Sequence, residues 1–192
     1  MRGHIMRKWF FVSLVIVALS VVSVFSDGHV ETILEFDIEA GELTEGIAID
    51  DDGNIFVSLT PLGQIIKVEA GSDTAEPFGA VEGLAEGDLG LLGLAVDEDG
   101  YVYGAVVSSN PEANGVWIFD PMTGEGEHIP GTEDILLANA LVVGEDALYV
   151  TDSISGAVWS IYEDGTVEVW IQDSLLVGNE IIRYYRKLND RF

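Results

Sequence analysis

The sequence predicts an all-β fold: a β-propeller of about three four-stranded blades, preceded by an N-terminal signal helix. Three observations support this: a repeat with a constant step, short β-rich runs separated by turn residues, and no helical periodicity outside the leader. Four short strands that recur every ~40–50 residues are typical of a propeller blade. A β-sandwich is the alternative, but it gives no reason for a fixed period.

The repeat is clearest in a small apolar segment that is followed by an acidic turn. The step from Gly46 to Gly93, and again from Gly93 to Ala140, is 47 residues. A turn position recurs with the same step, at Gly53, Gly100 and Ala147. Asp-Gly between two β-rich runs predicts a hairpin, because such turns need a positive φ. The first strand of each repeat is small and apolar on both faces, which suits the inner strand beside a propeller axis.

Each repeat also contains two later strand-like runs. The third strands are predicted at 63–68, 114–119 and 156–161, and the fourth strands around 75–78, 127–129 and 167–170. The tryptophans of these runs are predicted to pack between sheets: Trp117, Trp159 and Trp170. Asp152 is predicted to be a structural turn aspartate.

The N-terminal segment 1–26 is predicted to be a signal peptide. It has a basic start, an apolar run over 9–25 and a small residue, Ser26, at its end. We therefore expect a secreted or periplasmic protein. An uncleaved N-terminal membrane anchor is the alternative, because the apolar run is at the lower limit for spanning a bilayer.

The remaining chain divides into a partial propeller at 27–180 and an atypical basic tail at 181–192. Closed propellers typically need four to eight blades. The tail does not resemble the repeat, so we expect a shortened propeller, from a frameshift or a premature stop. The open alternatives are self-association of two copies into a six-bladed ring and completion by a separate chain.

Charge and cysteine content exclude several classes of function. The formal net charge is −26 and there is no cysteine. Nucleic acid is excluded as a direct partner, because phosphate binding needs clustered Lys and Arg. Disulfides, thiolate metal sites and cysteine nucleophiles are excluded as well.

We expect stability to rise with NaCl or with divalent cations. Between residues 27 and 182, Lys67 is the single Lys or Arg, while that segment holds every acidic residue except Asp190. Self-repulsion of this charge destabilises the compact state, and counter-ions screen it. The measurement is the Tm at increasing NaCl, and a Tm that stays flat would contradict the expectation.

Three segments resemble the SMP-30/gluconolactonase/luciferin-regenerating-enzyme family. They read Leu-Thr-Glu-Gly-Ile-Ala-Ile-Asp at 43–50, Leu-Leu-Ala-Asn-Ala-Leu-Val-Val at 136–143 and Leu-Tyr-Val-Thr-Asp-Ser at 148–153. The resemblance covers roughly 33–178, the first half of a six-bladed member. It implies that the exported chain is a hydrolase of lactones or esters that depends on one divalent cation, Ca²⁺ first and Zn²⁺ second. A non-catalytic exported propeller that binds a ligand or protein is the alternative.

The resemblance also implies two metal ligands, Glu45 and Asn139. In the family a Glu, an Asn and an Asp hold the cation at the mouth of the central channel. Glu45 matches the Glu of a Glu-Gly motif, and Asn139 matches the Asn of an Asn-Gly motif in which Ala140 replaces Gly. The Asp, which also serves as general base, belongs to a later blade, so the catalytic residues are unknown.

Spacing leads to the same two positions independently. Glu45, Leu92 and Asn139 each precede an inner strand, with the repeat's own step. Pseudo-rotational symmetry should bring such positions together around one axis. A carboxylate and an amide oxygen suit a hard cation such as Ca²⁺. The alternative is that Glu45 and Asn139 are ordinary turn residues at strand starts.

Overall fold

The computed structural model describes residues 32–178, which form three four-stranded antiparallel sheets. The first sheet contains β1 (Thr44–Ile49), β2 (Ile55–Leu59), β3 (Gln64–Val68) and β4 (Ala75–Ala80). The second contains β5 (Gly90–Val96), β6 (Val102–Val107), β7 (Gly115–Phe119) and β8 (Gly126–His128). The third contains β9 (Ala138–Val143), β10 (Leu148–Asp152), β11 (Ala157–Ile161) and β12 (Val167–Gln172). We call these sheets blades 1, 2 and 3.

Every strand in a blade pairs with its sequence neighbour, so each blade is a simple meander. The first strands, β1, β5 and β9, lie side by side and form the inner row. Short 3₁₀ turns occupy Ile38–Ala40, Thr60–Leu62 and Ser174–Leu176. The predicted all-β, propeller-like fold is therefore confirmed for the described residues. The predicted signal peptide, the predicted tail and the possible anchor lie outside them.

No helix among residues 32–178 is long and apolar enough to cross a membrane.

The hairpin between the first two strands differs in blade 3. In blades 1 and 2 a three-residue loop ends on a glycine with a left-handed backbone, Gly53 at φ +85° and Gly100 at φ +87°. In both loops this glycine donates its N–H to the aspartate that starts the turn, Asp50 or Asp97. These are type I turns with a glycine bulge, so the predicted need for positive φ is confirmed there.

In blade 3 the loop is one residue shorter, because Val143 pairs directly with Leu148. Gly144 donates its N–H to the carbonyl of Ala147, which closes a tight two-residue turn. Ala147 has no positive φ and is not the counterpart of Gly53. The equal sequence step at this position was therefore wrong as a structural equivalence, and strands β10 and β11 are shifted by one residue relative to that step.

Two apolar cores hold the three blades together, one at each joint between blades. The first joint is filled from blade 1 by Phe56 and Ile65, with Ala48 and Phe78, and from blade 2 by Leu91, Leu94, Val102, Val106, Trp117 and Phe119. The second joint is filled from blade 2 by Ala95, Ala105 and Val116, with Tyr103, and from blade 3 by Leu141, Leu148, Val150 and Ile161, with Val143 and Trp159. Trp117 and Trp159 thus pack between sheets as predicted, whereas Trp170 is 58% exposed and does not.

Candidate functional site

Each inner strand carries a β-bulge near its start, at the repeat position singled out by the sequence. In each case two inner-strand residues face a single residue of the second strand, as the register of the flanking pairs shows. The bulged pairs and the residues opposite them are Glu45-Gly46 with Ser58, Leu92-Gly93 with Ala105, and Asn139-Ala140 with Thr151. Bulges re-aim side chains and are over-represented beside active sites. We call these three pairs the bulge row.

Hydroxyl side chains hold two of the three bulges. The Ser58 Oγ accepts the N–H of Gly46 at 2.7 Å, and the Thr151 Oγ1 accepts the N–H of Ala140 at 3.0 Å. Ala105 has no hydroxyl and offers no such bond. The same Ser58 hydroxyl donates across the joint to the carbonyl of Leu92 at 2.8 Å. Ser58 therefore fixes both the bulge of blade 1 and its contact with blade 2.

The bulges of adjacent blades touch each other through the backbone. A Cβ placed on Gly46 would lie 2.3 Å from the Leu92 carbonyl oxygen, and one on Gly93 would lie 2.2 Å from the Asn139 carbonyl oxygen. Only glycine permits such an approach. Glu45, Leu92 and Asn139 therefore lie on consecutive, directly contacting bulges, in that order.

The three side chains of the bulge row have different environments. Glu45 is exposed, Leu92 is buried, and Asn139 is only 8% exposed. The Asn139 Nδ2 donates to the Ser153 Oγ at 3.2 Å, so the amide is oriented by the loop between β10 and β11. Its Oδ1 lies on the opposite branch of the amide. The Leu92 side chain, between Glu45 and Asn139 in the bulge row, has no polar atom that could bind a cation.

Asp152 organises the loops around Asn139 and is 1% exposed. Its carboxylate accepts the backbone N–H groups of Leu136, Leu137, Ile154 and Ser155 at 3.0–3.2 Å. Burial on its own would raise the pKa of Asp152, but the hydrogen bonds from Ser155, Leu136 and Ile154 together outweigh it and hold the pKa below its ordinary value. The structural role predicted for this aspartate is confirmed.

Asp88 is a second carboxylate held by hydrogen bonds, outside the bulge row. It accepts the hydroxyls of Ser108 and Ser109 and the N–H groups of Ser109 and Ala85. The Ser108 hydroxyl and these N–H groups place the pKa of Asp88 far below its usual range. The carboxylate of Asp88 uses its oxygens to join the β4–β5 and β6–β7 loops, so its role is structural.

Within residues 32–178 no group of three or more His, Cys, Asp or Glu side chains could hold a metal ion. Glu45 and Asn139 are two oxygen-bearing side chains, whereas Ca²⁺ takes six to eight oxygen ligands. These two residues do not by themselves make up the coordination shell of such a cation.

Comparison with solved structures supports the propeller-like fold. No protein-family model and no curated protein matches the sequence. A structure of streptogramin B lyase is similar with a TM-score of 0.53 and 16% identity, over 68% of this chain and 41% of that one. A chain of a nidogen/laminin complex is similar with a TM-score of 0.55 and 14% identity, over 70% of this chain and 50% of that one. Both neighbours are β-propeller proteins, and this chain spans half of their length or less.

Proposed function

We propose that this chain is an exported propeller segment that binds a divalent cation, Ca²⁺ before Zn²⁺, at the mouth formed by its bulge row. Glu45 and Asn139 are the protein ligands in this proposal. The observation that supports it is that two oxygen-bearing side chains occupy equivalent bulges of the inner row. The hydrogen bond from Asn139 to Ser153 adds support. An amide that is already held in place binds a cation at a smaller entropic cost.

The reaction proposed from the family resemblance is hydrolysis of a small lactone or ester. It needs a general base and further cation donors, which Glu45 and Asn139 do not supply. The described residues therefore favour a binding role, with hydrolysis added only where other residues complete the mouth. The specific reason for preferring a binding role is Leu92: it lies between Glu45 and Asn139 in the bulge row, is buried and has no polar side-chain atom.

Isothermal titration calorimetry of the full chain with Ca²⁺ tests the cation site. We expect saturable binding that weakens about tenfold or more in both variants, because Glu45→Gln removes the negative charge of the proposed carboxylate ligand and Asn139→Ala removes the amide oxygen. Asp146→Asn is the matched control, since this exposed aspartate lies in the β9–β10 turn, at the far end of β9 from Asn139. It removes the same formal charge as Glu45→Gln and should leave the affinity unchanged.

Two results would overturn the cation site: no saturable binding, or an equal loss in all three variants, which would indicate diffuse attraction to an acidic surface. A simple aldonolactone then separates binding from hydrolysis. Hydrolysis that disappears with EDTA and in Glu45→Gln would establish the enzyme. A chain that binds Ca²⁺ without turnover is the binding scaffold.

A further inference from the structure

Blade 1 exposes an apolar sheet face on the side away from blade 2. Ile47 is 64% exposed and Ile49 is 58% exposed on β1. Register places Val57 and Ile55 beside them on β2, and Ile66 beside Val57 on β3. Ile55 and Ile66 are half-buried and Val57 is 8% exposed, so the open part of this face lies on β1. These five side chains, which carry no charge or polar atom, define the rear face of blade 1.

The equivalent faces of the other two blades are buried in the joints. The counterparts of the rear-face residues are Leu94, Val96, Val102 and Trp117 in blade 2, where Gly104 takes the place of Val57, and Leu141, Val143, Leu148, Val150 and Trp159 in blade 3. Both sets pack against the blade that precedes them. The rear face of blade 1 is therefore one half of a blade joint.

Blade 3 carries the other half of a joint on its outer side, which we call its front face. Tyr149 and Trp170 contact each other there with ring centroids 5.0 Å apart and ring planes tilted by 58°. Phe56 and Phe78 form the corresponding pair in blade 1, with the same 5.0 Å between centroids, and blade 2 packs over them. Trp170 remains 58% exposed, so an aromatic pair built for a joint has no blade above it among the described residues.

We propose that a second copy of this chain packs its blade 1 rear face onto the blade 3 front face, and that two such joints close a six-bladed ring. The chain itself contains both halves of the joint, and it forms that joint twice internally. Its coverage of 41% and 50% of two propeller neighbours means that two copies supply about one full propeller. Six blades fall within the range at which propellers close, whereas three do not.

The backbone contacts of the new joint follow from those already present. In the first joint, the Ser58 hydroxyl donates to the Leu92 carbonyl. Thr151 is the counterpart of Ser58 in blade 3, and the corresponding acceptor is the Glu45 carbonyl of the second copy. Ala140 stands where Gly46 allows close approach, so its Cβ holds the new joint wider than the two internal ones.

Sedimentation equilibrium of the full chain at low and at high NaCl tests the ring. We expect a monomer–dimer equilibrium that shifts toward dimer with salt, because two copies with a net charge of −26 repel each other. Ile47→Glu and Trp170→Glu should each weaken dimerisation about thirtyfold or more, since each puts a charge into both joints of the ring. Met122→Glu is the matched control: Met122 is exposed in the β7–β8 turn of blade 2 and touches neither face.

Mixing the two defective variants distinguishes a head-to-tail joint from other dimers. The Ile47→Glu chain keeps its front face and the Trp170→Glu chain keeps its rear face, so the mixture should recover one intact joint and form a mixed dimer. Circular dichroism confirms that each variant is folded. Ala140→Gly should tighten the dimer roughly tenfold by removing the Cβ from the joint, although glycine usually weakens a strand.

Several results would overturn the proposal. A chain that stays monomeric at every salt and protein concentration does not form the ring. A dimer that is weakened by only one of the two variants, Ile47→Glu or Trp170→Glu, is formed by two copies of the same face. Open polymers would show that the joints do not close a ring. Sedimentation in the presence of EDTA tests the ring without a bound cation, so failure of the cation site and failure of the ring are separately visible.

Discussion

Replacing Gly93 by alanine is expected to lower the free energy of unfolding by about 3 kcal/mol, as measured by urea denaturation. The new Cβ would lie 2.2 Å from the Asn139 carbonyl oxygen and 3.2 Å from the Ala140 Cα. Both neighbours are backbone atoms of β9, so no side-chain rotation relieves the clash. Relief requires blades 2 and 3 to separate, which opens the core between them.

Gly71→Ala is the control for this substitution. Gly71 has φ +77°, so alanine there is strained, but a Cβ would meet no atom within 4 Å. Only the cost of a left-handed backbone is then expected, about 1 kcal/mol. Equal losses for the two variants would show that the close approach of the blades contributes nothing. Gly46→Ala should behave like Gly93→Ala, because its Cβ would lie 2.3 Å from the Leu92 carbonyl oxygen.

Asp152→Ala is expected to cost about 3 kcal/mol of unfolding free energy and to weaken cation binding. Four backbone N–H groups, from Leu136, Leu137, Ile154 and Ser155, lose their acceptor in a buried position. Asp152→Asn keeps the shape and one acceptor oxygen, so we expect roughly half of that loss.

The pH dependence of the unfolding free energy of the Asp152 variants gives an independent test of this carboxylate's contribution. The pKa of Asp152 lies below its ordinary 3.8 in the folded protein. The carboxylate therefore contributes stability that is fully present above pH 3.8 and is lost as the pH falls through the folded pKa. Asp152→Asn should flatten this part of the acid unfolding curve.

Asp146→Ala, in the exposed β9–β10 turn, is the matched control for Asp152→Ala. It removes a carboxylate of the same type from the third blade without removing a buried acceptor. A loss within about 0.5 kcal/mol is expected. If both alanine variants cost the same, the four N–H contacts of Asp152 are not what stabilises the loops.

The fold was predictable because each blade is a local unit. Hydrogen bonds within a meander join sequence neighbours, so strand, turn and strand recur in the sequence as they recur in space. The constant 47-residue step did not reveal that the β9–β10 hairpin of blade 3 is one residue shorter. Counting in steps from Ser58 leads to Asp152, whereas the register gives Thr151 as its counterpart. That the Ser58 and Thr151 hydroxyls hold bulges was not predicted, because a bulge appears only in the strand register.

The candidate site was only partly predictable, for a different reason. Sequence spacing led to the three bulge positions, but whether a side chain is exposed depends on its surroundings in space. Glu45 is exposed while Asn139 is buried and oriented by Ser153, a contact between strand β9 and a loop that no periodicity reveals. Trp170 was likewise expected to be covered, because its strand resembles its counterparts while no blade of the described chain follows it.

The glycines of the inner row make the blades unequal modules. Blades 1 and 2 each present Gly46 or Gly93 to the blade that follows, whereas blade 3 presents the methyl group of Ala140. A tandem gene duplication of blade 2 would therefore lengthen the array at the existing spacing, while duplication of blade 3 would introduce a misfit at every new copy. Recombination that reshuffles these units is restricted by a single methyl group.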